Sequence, residues 1–200
     1  MATLEKERRR YGGASFADRQ SERRERLIGA AIDVFGRAGR DGATVAAICA
    51  EAGLTARYFY ESFPSRDALF LEAYGAVQRE LLARLAAAVD PADPVKSALT
   101  GFFAALAEHP GPARVFLLDA HGREPAMQAA GQETATRLVQ LFAPRTRTVL
   151  ASAGVLGAVI DIARAWIERG FAEPVEEVVA TALPFAQAAA GKALGTSTGP

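Results

Sequence analysis

Hydrophobic residues recur along most of the chain at intervals of three and four, and no stretch alternates at intervals of two, so the sequence predicts helices without a sheet. Leu27, Ile28, Ala31, Val34, Phe35 and Ala38 mark a stripe about 100° wide on a first helix from about Ser21 to Ala38, which Gly39 ends. A second stripe, Val45, Ile48, Cys49 and Ala52, follows the N-cap candidate Thr44 and stops at Gly53, the residue type that accepts a left-handed backbone. Leu54 drops into the turn and Thr55 caps a short third helix. Phe59 and Phe63 lie four residues apart there, so both rings face inward, and Thr55, Arg57, Tyr58, Glu61 and Ser62 lie outside. Ser65 caps a fourth helix with Asp67 at the positive end of its dipole. Leu69, Phe70, Ala73, Val77, Leu81 and Leu85 carry it to about Val89, about 35 Å at 1.5 Å per residue.

Beyond Asp90-Pro91 the prolines punctuate. Asp93-Pro94 reads as cap and first turn of helix five, with Leu99, Phe102, Phe103 and Leu106 inward. His109-Pro110-Gly111-Pro112 breaks it, and a short sixth helix carries Val115 to Leu118 and stops near Gly122. Glu124-Pro125 opens helix seven, with Met127, Ala130, Thr134, Leu138, Leu141 and Phe142 inward and Pro144 at its end. Helix eight is expected over about Val155 to Gly170 and helix nine from Pro174 to about Ala190, bent at Pro184.

Helix, tight glycine turn, helix, with the second helix anchored by rings and polar outside, is how a helix-turn-helix reader presents itself to DNA. The run AGLTARYFYESFPSRDALF resembles the DNA-binding segment of the TetR family of bacterial transcriptional repressors. Its Ala-Gly-Leu-Thr turn, Tyr60, Phe63-Pro64-Ser65, the basic-acidic pair after it and Leu69 carry the likeness. Upstream, LIGAAIDVFGRAGRDGATV is similar to the family's first helix. The likeness covers about Leu27 to Leu69. Together with the helices read from the periodicity it gives an all-α protein of about nine helices. Residues 18–68 would form the DNA-binding unit and 69–190 an effector-binding and dimerisation domain, flanked by a flexible arm over 1–17 and a disordered tail over 191–200. It also implies that Thr44, Tyr60, Arg66 and the cap of the recognition helix hold phosphates, which fixes register without reading sequence. The family commonly has glycine where Arg57 stands, histidine or tyrosine at Ser62 and lysine at Arg66. Arg57 is therefore assigned to base reading on chemistry alone: a guanidinium donates two parallel hydrogen bonds to guanine O6 and N7, worth about 1–3 kcal/mol of discrimination. Thr55 and Tyr58 offer hydroxyl, methyl and ring contacts, and Ser62 completes the set.

One such unit spans too few base pairs, so a homodimer on a palindrome is implied. The surface expected for it is Leu156, Val159, Ile160, Ala163 and Ile167 of helix eight with Val178, Ala182 and Phe185 of helix nine, a four-helix bundle across the two-fold axis. An effector pocket, implied by the resemblance, is expected among Phe70, Tyr74, Gln78, Phe103, Phe116, Asp119, Met127, Thr134 and Arg137, aromatic and apolar with a few polar groups. Filling it would tilt helix four and change the separation of the two recognition helices.

Charge and composition trim the alternatives. The net charge is zero, but residues 1–66 carry 12 Lys+Arg against 9 Asp+Glu and residues 67–200 carry 11 against 14. The positive surplus lies on the DNA-reading side. Cys49 is the sole cysteine, so no intrachain disulfide forms; it reads as an inert buried thiol, and a reducing cytoplasm is the expected home. The charged N-terminus lacks a signal core, and the longest apolar run, Val149 to Ile160, is short of the ~20 residues that span a bilayer, so no membrane is expected. His121 and Glu124 are spaced i, i+3, but Gly122 and Pro125 argue against a helix there, and no second histidine or cysteine completes a metal site. G-x-S-x-G, P-loop and G-x-G-x-x-G are all missing, so neither enzyme nor cofactor is expected. The reading is a DNA-binding repressor released by a small hydrophobic effector. Its rival is a helical ligand-binding or scaffold protein whose DNA unit no longer reads operators.

Overall fold

A computed structural model describes residues 16–117, 125–146 and 148–189. Among them are nine helices and no strand: α1 Phe16–Gly42, α2 Val45–Ala52, α3 Ala56–Ser62, α4 Arg66–Ala88, α5 Pro94–Glu108, α6 Pro110–Leu117, α7 Pro125–Phe142, α8 Val149–Glu168 and α9 Val175–Ala189. The all-helical expectation holds. The tail expected over 191–200, nearly all of the arm expected over 1–17, and Asp119, His121 and Glu124 lie outside the described residues.

Local chemistry sets most boundaries. Gly39 leaves the helical backbone at φ 70°, ψ 171°, so α1 breaks where the sequence predicts and a further turn ends at Gly42. Thr44 Oγ1 accepts the Ala47 N–H at 3.1 Å, and Gly53 takes the left-handed conformation (φ 62°, ψ 37°) that lets Leu54 N–H reach the Cys49 carbonyl at 2.9 Å. Ser65 Oγ accepts from Ala68 N–H and starts α4.

Several boundaries differ from expectation for identifiable reasons. Helix five breaks at His109 as expected, but the Pro110-Gly111-Pro112 run is itself the first turn of α6, where missing N–H groups cost nothing. Asp93 occupies the cap position of α5 but makes no side-chain capping bond. α8 starts six residues before Val155, because Thr148 Oγ1 accepts from Ala151 N–H. α9, by contrast, keeps the expected range, with Pro184 inside it at an exposed position. At 20 residues and mean hydropathy 1.6, α8 is long and apolar enough to cross a membrane by length and composition alone, a test that the core helix of a soluble protein also passes. Here it packs on α6, α7 and α9.

Two joints connect the reading unit (α1–α3 and the first turn of α4) to the body. The first is α4, whose N-terminal half packs on α1 and whose remainder meets α5, α6 and α7. The second is the crossing of α1 over α6. A Cβ at Gly36 would sit 2.7 Å from the Cα and carbonyl oxygen of Gly111, so the two backbones touch and only glycine fits. Rings run through both joints: Phe35 meets Phe70 edge-on at 4.7 Å, Phe70 stacks on Tyr74, Tyr74 on Phe116, and Phe116 meets Phe102. One hydrophobic core thus passes from reading unit to body.

Candidate nucleic-acid interface and ligand cleft

α3 is fastened by Phe59 and Phe63, both buried, with ring centroids 6.2 Å apart. That leaves its opposite face outward, as the four-residue spacing requires. Arg57 is 85% exposed and Tyr60 62%; Thr55 is exposed and makes no capping bond, so its hydroxyl is open to an incoming phosphate or base. Arg57 Nε donates to Glu61 Oε1 at 2.9 Å. That bond, and then the Glu61 charge, push the guanidinium further into its charged form. Ser62 is less available, because its Oγ donates to the Tyr58 carbonyl at 2.9 Å. Thr44, exposed at the start of α2, already accepts its capping bond but keeps a second lone pair and a hydroxyl proton.

The other arginines of the unit hold it together. Arg23 lies over the Tyr58 ring and Arg24 over Phe63, each 4.7 Å from the centroid. Arg24 also pairs with Glu72 at 3.0 Å. Arg26 Nη2 donates to the Ala52 carbonyl, closing the C-terminal end of α2, and Arg40 covers Phe70 while reaching Asp67. Arg66, expected to meet phosphate, donates Nη1 to the Ala43 carbonyl at 2.9 Å and is only a third exposed. It clamps the head of α4 to the α1–α2 link, so a phosphate contact there would be a shared task. The role of Arg23 in positioning Tyr58 was not read from the sequence, where an arginine at the start of a helix signals only charge.

A cleft of about 290 Å³ lies between α4, α6, α7 and α8. Of the expected pocket residues, Tyr74, Phe116 and Thr134 line it. Gln78 is buried beside it and donates to the Ala130 carbonyl, and Met127 is buried on α7. Burial pushes the Tyr74 phenol above its usual range, with its hydrogen bond to Gln78 acting the other way. Phe70, Phe103 and Arg137 do not line this cleft. Phe70 packs on Phe35 at the joint, Phe103 packs on Phe102 and Trp166 in the core, and Arg137 pairs with Glu133 on the outer surface. Arg164, overlooked in the sequence, lines the cleft and donates Nε to the Leu117 carbonyl at 3.0 Å. A lone arginine in a helix as apolar as α8 was the available signal.

Of the expected dimer surface, Val159, Ala163, Ile167, Val178 and Ala182 are buried within the one chain, and Leu156 and Ile160 line the cleft. Phe185 is half exposed. Small positions on the same two helices are also exposed, among them Gly154 and Gly157 of α8 and Ala180 and Pro184 of α9. Among the described residues no group of three or more His, Cys, Asp or Glu converges on a metal-sized site.

Comparison with known proteins agrees with this architecture. Residues 27–73 match the family described as bacterial regulatory proteins, tetR family. A TetR-like transcriptional regulator from Rhodococcus sp. RHA1 superposes with TM-score 0.69 at 23% identity, covering 88% of this chain and 97% of that one. The transcriptional regulator FadR from Bacillus subtilis, solved with stearoyl-CoA, gives 0.67 at 14% identity over 81% and 96%. The fatty acid degradation regulator FadR from Bacillus halodurans gives 0.66 at 18% over 84% and 98%. None of the curated proteins matches the sequence.

Proposed function

Starting from a chain that carries the tetR-family DNA-binding segment on the fold of TetR-like transcriptional regulators, we propose that it is a repressor. It binds a palindromic operator as a homodimer in the cytoplasm and leaves it when a small hydrophobic effector fills the α4–α6–α7–α8 cleft. The observation that carries the reading is the outer face of α3: a short helix pinned by two buried rings presents Thr55, Arg57, Tyr58 and Tyr60 together to solvent. A helix so placed enters a major groove with Arg57 foremost, and Thr44 and Tyr60 sit where backbone phosphates flank the groove.

The dimer rests on the apolar character of α8, of which only 28% of the most hydrophobic window is buried in one chain. A surface of that kind on a protein that binds DNA calls for a second copy, because two recognition helices must meet half-sites a helical turn apart. The effector reading rests on the cleft, whose walls are mostly aliphatic and aromatic with Tyr74, Thr134 and Arg164 as polar points. The stearoyl-CoA bound by the Bacillus subtilis relative supports a largely hydrocarbon effector.

The test is a pair of binding isotherms on operator and random duplex across salt. A true reader loses affinity steeply as salt rises. Arg57→Ala is expected to cost about 1–3 kcal/mol on operator and much less on random DNA. Equal losses on both duplexes would remove Arg57 from base reading; salt-independent binding would leave only the scaffold alternative.

A further inference from the structure

A second cleft, of about 350 Å³, opens where α1 of the reading unit meets α4, α5 and α6. Ile32, Val77, Leu81, Leu106 and Phe116 are among its walls, and Phe116 alone is shared with the α4–α6–α7–α8 cleft. Its volume is that of a small ligand pocket. Glu80, Arg84 and His109 stand at its rim. Arg84 Nε donates to Glu80 Oε1 at 2.6 Å, Nη1 lies 2.7 Å from His109 Nε2, and the same nitrogen is 3.5 Å from Glu108 Oε2. A guanidinium can only donate, so His109 Nε2 is the acceptor in that contact. Glu80 in the wall and Glu108, next in sequence to the lining His109, share the one guanidinium of Arg84, so carboxylates outnumber guanidiniums at this edge of the cleft.

We propose that this cleft is a second small-molecule site and that it takes an apolar amine. The hydrocarbon body fills the aliphatic cavity, and the ammonium meets Glu80 and Glu108, each of which has lone pairs beyond those Arg84 uses. A carboxylate of the same skeleton meets two carboxylates and a guanidinium already engaged by both. The position matters as well as the chemistry. Ile32 lies one turn before Gly36 on α1, and Pro112 and Ala113 follow Gly111 on α6, so an occupant bears on the crossing where the two backbones touch. Any effect on DNA rests on the function proposed above; binding itself does not.

Isothermal titration of the full chain with 4-phenylbutylamine and 4-phenylbutyrate, at neutral pH and low salt, tests the assignment. The amine should bind about fivefold or more tightly than the acid, the scale of a partly screened charge pair. The exposed double variant Glu80→Gln/Glu108→Gln removes both carboxylates, leaves the Arg84 guanidinium unpaired by them, and should reverse the order. Ala76→Trp, which fills the cavity, should abolish binding of both probes. Acid preferred by the parent chain, no binding by either probe, or amine binding indifferent to both variants would each overturn the proposal. Failure to bind any duplex would instead sink the repressor reading and leave the titration standing.

Discussion

The reading unit and the body are held together by different chemistry. In the unit, arginines do much of the fastening: Arg23 and Arg24 lie over rings of α3 and its C-cap, Arg26 and Arg66 bond backbone carbonyls at either end of the second helix, and Arg40 covers Phe70. In the body the fasteners are rings on rings, with Phe102, Phe103, Phe116, Phe142 and Trp166 in edge-on contact across α5 to α8. Size explains the difference. A unit of about fifty residues buries too little apolar surface to be secure alone. The aliphatic stems of its arginines extend the cover over its few rings. The lesson concerns function: arginine richness near a DNA-reading helix does not measure how many cations face DNA.

The comparison can be broken most sharply at the rings. Phe59→Ala should cost about 3–5 kcal/mol, as a fully buried aromatic does, and Phe103→Ala in the body a similar amount. The two should separate on DNA. Phe59→Ala frees the inner face of α3 and abolishes operator binding. Phe103→Ala should leave the affinity of the folded fraction within about twofold, since its packing is remote from α3. Chemical denaturation alongside binding isotherms reads both; equal DNA loss in the two would mean that unit and body do not differ as described.

The joint between them comes next. Gly36→Ala places a methyl 2.7 Å from Gly111 backbone, and backbone cannot yield as a side chain does, so a loss of about 1–3 kcal/mol is expected. Gly111→Ala is the control. Its own Cβ would meet nothing within 4 Å, so it should be neutral or stabilise by about 0.5 kcal/mol through helix propensity. Thermal melts of the two variants side by side give the sign. Smaller again is Arg24→Leu, which keeps a stem over Phe63 but removes the charge. A cost of about 0.5–1 kcal/mol is expected, because the guanidinium is more than a third exposed. A larger loss, read by the same melts, would show that the unit depends on charge more than on cover.

These contrasts also explain what was legible beforehand. Thr44, Gly53, Phe59, Phe63 and Ser65 act within four residues of themselves, so caps, turn and ring spacing could be read directly from the chain. The body's surfaces could not. Ile160 and Val159 are neighbours on one apolar helix, yet Ile160 lines the cleft and Val159 is core, a split decided by which helices arrive from elsewhere in the chain. Arg137 and Arg164 look alike in sequence. One lies outside against Glu133 and the other enters the cleft, since α8 turns that face toward Leu117. The start of α8 is again local: Thr148 caps it as Thr44 caps α2, six residues ahead of the apolar stripe that begins at Val155.

The smallest expected effect sits where the two regions share a residue. Tyr74 stacks between Phe70 at the joint and Phe116 at the cleft, and burial raises its phenol pKa above the usual value of about 10. A raised folded value means that the native state holds this proton more tightly than the unfolded chain. The stability it contributes is therefore complete below about pH 10 and is lost as pH climbs through the folded pKa. Cys49, whose thiol burial also raises, slopes the same way from about pH 9. Tyr74→Phe removes one of these two terms while keeping the stacked ring. Denaturation midpoints measured from neutral pH to the alkaline limit should fall less steeply in the variant, with the divergence confined to the alkaline side. Divergence already at neutral pH would mean that the hydroxyl's bond to Gln78, and not its buried proton, is what couples the joint to the cleft.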